Sequence, residues 1–198
     1  MEEVQRRKMS NQSTFQRYVA PIVVLVGICL VISAALAATY GIANPIIERN
    51  TKAAQDAAMQ ALISDADSFS EYTGDLWTSE DGKVSVTSVS TADNGTGMVA
   101  TVSTTSFGGK LTEMVGIDAT GALTGVQIIN HGDTPGVGTK AMKEEHLAQY
   151  AGVTELTSTA AKTEPAINHV SGASVSSNGI HYGVYAALQQ YALMGGVQ

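Results

Sequence analysis

Residues 98–130, MVATVSTTSFGGKLTEMVGIDATGALTGVQIIN, decide the fold. Met98-Val99-Ala100-Thr101-Val102-Ser103-Thr104 has the alternating, β-branched character of a strand, whose successive side chains point to opposite faces. Phe107-Gly108-Gly109 reads as a turn and Leu111 to Asp118 as a second strand. Ala119-Thr120-Gly121 then closes a hairpin into a third strand, Ala122 to Asn130. Upstream lies a polar stretch, residues 64–96, in which Val84, Val86 and Val89 suggest a short strand and Trp77 is the one large anchor. Downstream, a helix fits roughly Lys140 to Tyr150. Ile180, Val184, Leu188 and Tyr191 recur at spacings of three and four, which predicts a helix over about Gly179 to Met194 with one face on a core. Ser176, Ser177 and Asn178 are its N-cap candidates, since their side-chain oxygens can accept from the free N–H groups of a first turn. Strands and helices arranged in blocks predict an α+β domain rather than a parallel α/β sheet.

The N-terminal stretch has a different character. Tyr18 to Ile47 contains no charged residue. As a helix, Val19 to Ala43 would be about 37 Å long, enough to cross roughly 30 Å of hydrocarbon. Arg6, Arg7, Lys8 and Arg17 precede it, and the positive-inside bias therefore predicts a cytoplasmic segment 1–17 and a transmembrane helix 18–43, with the remainder outside. Ala35-Leu36-Ala37 has the small-x-small form of a signal-peptidase site, but the apolar run continues past it to Ile47, which favours a retained anchor. A pilin-like helix usually has an acidic residue near the start of its apolar run, and none stands here. Residues 44–63 turn amphipathic, with Ile46, Ala53, Ala57 and Leu62 near one side and Glu48, Arg49, Lys52 and Gln55 on others. They read as a connecting helix, with Pro45 marking a bend or a new start, ahead of an extracytoplasmic domain over 64–198.

Composition narrows the function. A formal net charge of −7 with 15% charged residues offers no basic stripe for a phosphodiester backbone, so nucleic acid is excluded as a partner. Cys29 is the only cysteine, which rules out an internal disulfide and a cysteine-based metal centre within the chain. His131, His146, His169 and His181 lack metal-ligand spacing, so no metal site is expected.

Two stretches carry chemistry. Val170-Ser171-Gly172-Ala173-Ser174-Val175-Ser176-Ser177 displays hydroxyls on a small-residue loop just before a helix, where N–H groups and the helix dipole favour an anion such as phosphate. Asn130-His131-Gly132-Asp133-Thr134-Pro135-Gly136-Val137-Gly138-Thr139-Lys140 holds three glycines and a proline, an irregular backbone that can approach a flat ligand closely. Its N–H groups and the Lys140 ammonium suit a negatively charged flavin ring system or a phosphate. The glycine spacing is not that of a Walker loop, and His131 by itself reads as structural.

Together these stretches resemble the covalent-FMN-binding domain family, found in the G-type subunit of the Rnf electron-transport complex. The FMN-bearing subunit of the sodium-pumping NADH:quinone reductase is closely related to it. The resemblance covers most of the chain: a single N-terminal span, Phe107-Gly108-Gly109, Met114-Val115-Gly116-Ile117-Asp118, His131 to Lys140, and Ser171-Gly172-Ala173-Ser174. The family patterns are His-x-Glu-Thr-Pro-Gly-Leu-Gly and Asp-x-x-Ser/Thr-Gly-Ala-Thr. Here Asp133 stands for the Glu, Asn168 for the Asp and Ser174 for the final Thr. The resemblance implies that Ser174, in the setting of Ser171, Gly172 and Ala173, carries FMN through a phosphoester installed outside the membrane by a flavin transferase using FAD. It also implies that Thr134, Pro135, Gly136, Val137, Gly138 and Thr139 flank the ring, with Lys140 nearby. The expected role is electron relay, without independent catalysis, among the integral and peripheral subunits of a ferredoxin:NAD oxidoreductase coupled to ion translocation. The competing expectations are a membrane-anchored scaffold or binding module of the same fold without flavin, and a single-chain FMN-linked reductase of an extracellular acceptor.

Overall fold

The computed structural model describes residues 19–197; the expected cytoplasmic segment 1–17 and Tyr18 lie outside them. The chain divides into two compact units, residues 1–52 and 53–198. Helix α1 (Ala20–Leu62) begins in the first, and there it exposes Val23, Leu25, Leu30, Val31 and Leu36. A helix this apolar with no core to bury it has the length and composition to cross a membrane. Pro45, expected to bend or restart the helix, lies inside α1. Its ring removes one intrahelical hydrogen bond there, and the helix continues on both sides.

The second unit is built on one antiparallel sheet in the order of sequence: β1 (Phe69–Glu71), β2 (Ser85–Ala92), β3 (Gly97–Ser106), β4 (Gly109–Asp118) and β5 (Leu123–Asn130). β3 and β4 pair from Gly97↔Asp118 to Ser106↔Gly109, leaving Phe107 and Gly108 as the turn. β1, paired through Phe69↔Ala92, is too short to show an alternation in sequence.

Both faces of the sheet are covered. On one, helix α3 (Ser174–Met194) brings Ile180, Val184, Ala187 and Leu188 into a core with Val102, Leu111, Val115, Ile117 and Leu123. On the other, Ala58 and Leu62 of α1, followed by Ile63 and Ala66, pack with Ala92, Val99 and Met114. Two-sided cover explains why β3 is buried almost without alternation. The buried side of α1 runs through Ala58 and Leu62, whereas Ala53 and Ala57, expected on that side, are exposed. Leu62 reaches the sheet because Gly116 has no side chain: a Cβ there would sit 2.8 Å from that of Leu62.

Two helical expectations are corrected. Over residues 140–150 there is no single helix, but 3-10 turns Gly138–Met142 and Ala148–Tyr150 flank a short α2 (Glu144–Leu147). Lys143 is extended, with φ −69 and ψ 144, which interrupts any longer helix. The C-terminal helix begins at Ser174 rather than Gly179, with Ala173 as its N-cap and no side-chain cap bond. Ser176, Ser177 and Asn178 are therefore inside it. Their polar groups serve tertiary contacts: Ser176 Oγ accepts from Phe107 N–H (3.4 Å), Ser177 Oγ from Val170 N–H (3.3 Å), and Asn178 Oδ1 from Ala161 N–H (3.1 Å). At its far end α3 stops at Gly195, in the left-handed region with φ 73. Near that end, Gln190 accepts from Trp77 N–H (2.7 Å) and donates to Asp75 O (3.1 Å), pinning the loop that precedes β2.

Candidate functional site

Ser174 is the first residue of α3, and it is exposed. The loop before it turns at Gly172, φ 79, leaves Ser171 and Gly172 in solvent, and anchors itself through buried Ala173. Beside Ser174 lies a cavity of about 560 Å³, within the size range of small-molecule sites. Its walls come from four places in the chain: Asp81, Lys83 and Val84 ahead of β2, Thr104 and Thr105 of β3, Ala161, Lys162 and His169 of the long loop, and the first two turns of α3 through Tyr182. Helix and strand can meet this closely because Gly179 faces β3, where a Cβ would run into the carbonyl of Thr105. Thr104 Oγ1 donates to Gly179 O (3.1 Å) at the same contact.

The cavity carries three groups able to bind an anion: Lys83, Lys162 and His169. Lys83 also pairs with Asp81 at 3.1 Å. The Ser79 hydroxyl, then the Lys83 backbone N–H and ammonium, hold Asp81 down to a pKa of about 2. Lys83 keeps most of its side chain in solvent, so this pair leaves it free to meet a further anion.

The glycine-rich loop meets the same first turn of α3 from another side. It is folded on itself, with Val137 N–H donating to Thr134 O (3.1 Å) and Gly136 N–H to Thr139 Oγ1 (2.8 Å), and Gly136 has φ 77. Asp133 ties it down. Its Oδ1 accepts from the Ser106 hydroxyl (2.8 Å) and from Gly108 N–H, so the loop is bound to the β3–β4 turn. Burial alone would push the Asp133 carboxyl up, but the Ser176 and Ser106 hydroxyls, Gly108 N–H and the charge of His131 together bring it below its ordinary value. Oδ2 has no well-aligned hydrogen bond among the described residues, although the Ser176 hydroxyl is close enough to act on the charge. Gly138 is required here, because a Cβ would press on the Asp133 carboxylate and lie 2.7 Å from Ser176 Oγ. His131 has the structural role expected of it, its Nδ1 accepting from Asp133 N–H (3.2 Å).

Ser174 and the glycine loop are thus brought to one helix turn, Ser174 on the wall of the cavity above. Thr134, Pro135, Gly136 and Val137 are exposed, Gly138 is buried and Thr139 is half-buried. Lys140 lines a second recess of about 320 Å³ with Lys143, Glu145, His146, Gln149 and Val170. In that recess His146 Nε2 faces Ser177 Oγ at 3.3 Å. Burial, with the charges of His181 and His169, holds His146 below its usual pKa, so it is neutral near pH 7. The backbone of Asn168 is fixed by Gln149, whose Oε1 accepts its N–H at 2.9 Å. Phe107, Val137 and Val175 are 65%, 44% and 55% exposed, and each belongs to a segment that adjoins Ser176. Apolar surface therefore surrounds the turn that carries Ser174.

The sequence reading missed Lys83, Lys162 and His169. His169 lies between the two halves of the Ser174 motif and was within reach of that reading. Lys83 and Lys162 reach the site only through the fold, and nothing in their local sequence marks them.

Comparison with known proteins sharpens the class first. Residues 106–189 match the family model described as an FMN-binding domain. That segment runs from the end of β3 through the glycine-rich loop to most of α3, and includes Ser174 and both motifs. Over 167 residues the chain is 24% identical to the G-type subunit of the proton-translocating ferredoxin:NAD(+) oxidoreductase complex of Clostridium ljungdahlii, a match that covers 82% of this chain and 85% of that relative.

Proposed function

We propose that this chain is a membrane-anchored flavoprotein subunit of an Rnf-type complex, holding FMN on Ser174 and relaying electrons to partner subunits. The observation that carries the proposal is the placement of an exposed serine hydroxyl at the mouth of a cavity lined by cations, inside the segment matched by the FMN-binding family. The residues fit the group: Lys83, Lys162 and His169 suit its phosphate, while Tyr182, Val84 and Val175 offer flat or apolar surface to its ring.

The tether needs only the Ser174 hydroxyl oxygen, which replaces AMP on the flavin-side phosphate of FAD as the hydroxyl proton leaves. A flavin transferase supplies that step. With no side-chain cap, the first-turn N–H groups of α3 and the positive end of its dipole would favour a phosphate on Ser174. Asp133 keeps the glycine loop folded against Gly108 and Ser176, so that Thr134 to Thr139 present their backbone at a fixed height beside the same turn. Lys140, on the wall of the second recess, adds positive charge near the glycine loop. FMN supplies one- and two-electron transfer when bound. The helix over 18–43 anchors the chain, with residues 1–17 in the cytoplasm, a connecting stretch over 44–63, and the flavin-bearing domain, 64–198, outside. Ferredoxin and NAD as terminal partners, and ion translocation as the output, rest on the similarity to the clostridial protein.

The decisive experiment is the intact mass of the full chain co-expressed with a flavin transferase, beside Ser174→Ala. We expect a gain equal to FMN less water, fluorescent after denaturation, and its complete loss in the variant. A colourless protein without adduct would overturn the flavin reading and leave the anchored scaffold.

A further inference from the structure

Residues 53–198 hold fifteen acidic side chains against five lysines and no arginine. All five lysines are exposed. Lys83 and Lys162 line the Ser174 cavity. Lys140 and Lys143 line the second recess, whose His146 and Val170 are hydrogen-bonded to Ser177 of α3. Lys110 pairs in the sheet with Thr105, a residue of the cavity wall. Four of the five lysines therefore line two recesses joined through the Ser177 contacts to Val170 and His146, a collar of positive charge in a unit whose acidic side chains outnumber its lysines three to one.

We propose that this collar is a phosphate-binding site in its own right, which captures the phosphate of a flavin nucleotide noncovalently before Ser174 is modified, with Lys83 and Lys162 as its direct ligands. A negatively charged unit repels an anionic nucleotide at long range, and cations gathered at a concave site reverse that locally and focus the field at the mouth. The carboxylates nearest the collar offset it only in part. Asp81 pairs with Lys83 at 3.1 Å, Asp133 is buried among hydrogen-bond donors, and Glu145 lies in the recess of Lys140 and Lys143, while Lys162 has no ion pair among the described residues. His169 adds a ring donor to the same wall. The proposal rests on the reading of Ser174 for the identity of the nucleotide, but not for the existence of an anion site.

Full-length Ser174→Ala in detergent cannot form the tether, so it isolates the capture step. Titrating it with FMN and with riboflavin, which has the same ring and no phosphate, separates ring from anion binding. We expect FMN to bind at least ~10-fold more tightly than riboflavin. Inorganic pyrophosphate should compete with FMN and not with riboflavin, and the preference should shrink as salt rises. Adding Lys83→Gln and Lys162→Gln should abolish the preference while leaving the unfolding midpoint unchanged, since both side chains are exposed. Equal binding of the two flavins, no binding of either, or a preference that survives both substitutions would overturn the proposal. An adduct on wild-type protein alongside any of those results would leave the tether standing and reject only the collar. A clear FMN preference with no adduct in the wild type would do the reverse.

Discussion

Asp133 meets α3 at its first turn and Glu113 meets it at Gly183, and the two buried carboxylates live in opposite surroundings. Asp133 is ringed by the Ser106 hydroxyl, Gly108 N–H and the Ser176 hydroxyl, and it stays ionised. Glu113 is fully buried on the α3 face of β4, with no hydrogen bond to either oxygen among the described residues. Burial pushes its carboxyl well above the ordinary value. Tyr150, buried nearby, is likewise raised by burial and then by the charges of Glu113 and Glu164. It donates to His181 Nδ1 (3.3 Å), whose Nε2–H donates to Ser158 O (2.8 Å). The loop-rich end of the helix supplies donors and can keep a charge. The sheet-facing middle spends its backbone on regular structure and can only keep an acid neutral. The cavity beside Ser174 lies at the end that tolerates charge.

The largest effect should come from removing the charge that is well held. Asp133→Ala leaves Gly108 N–H without an acceptor and the Ser106 hydroxyl with only Gly109 O, and releases the glycine loop from the β3–β4 turn. We expect a loss of about 2–4 kcal/mol from unpaired buried donors. Urea unfolding followed by Trp77, the only tryptophan, measures it. A loss under ~0.5 kcal/mol, the usual range of a surface change, would mean that the knot is not structural.

Gly183→Ala probes the other carboxylate by crowding. The new methyl would press on Glu113 Oε1, and overpacking of this kind costs about 1–3 kcal/mol. In a Glu113→Ala background the same substitution should cost less, because the oxygen it strikes is gone. Additive costs in the double-mutant cycle would show that the two residues are not coupled.

The same contrast explains what could be read from the sequence. Strands β2 to β5 were legible because their residues alternate or run apolar between turns rich in Gly, and Leu123 to Asn130 was placed almost to the residue. β1 was not, since Phe69-Ser70-Glu71 has no period to detect. The start of α3 was misplaced because Ser176 and Ser177 look like caps, and only the fold shows their hydroxyls turned to Phe107 and Val170. In the site, the hydroxyl and glycine motifs were visible as local patterns. Lys83 and Lys162 became part of it through tertiary packing alone, a relation that no window of sequence carries. Glu113 was invisible for a third reason: within Leu111 to Asp118 it occupies an inward position that the strand pattern assigns to an apolar residue.

The smallest effects, and the most direct on the two carboxylates, are their slopes with pH. Asp133 has a folded pKa below its unfolded value, so its contribution is present above about pH 4 and is lost as pH falls through the folded value. Glu113 has a folded pKa above its unfolded value. Its neutral form costs nothing extra below about pH 4.5, and stability declines as pH rises from there toward the folded value, because the unfolded chain ionises first. Each group can contribute at most ~1.4 kcal/mol per pH unit. Unfolding free energies of the full chain from pH 3 to 9 should therefore change shape at opposite ends. Asp133→Asn should flatten the acid limb relative to wild type, and Glu113→Gln should flatten the decline above pH 4.5. His146 and His181 are common to wild type and variants, and Tyr150, raised by burial, stays protonated in the folded protein across this range, so differences between the curves report the two carboxylates. A Glu113→Gln curve parallel to wild type above pH 4.5 would show that Glu113 ionises in the folded protein as readily as in the unfolded chain. The middle of α3 would then accommodate charge as its first turn does.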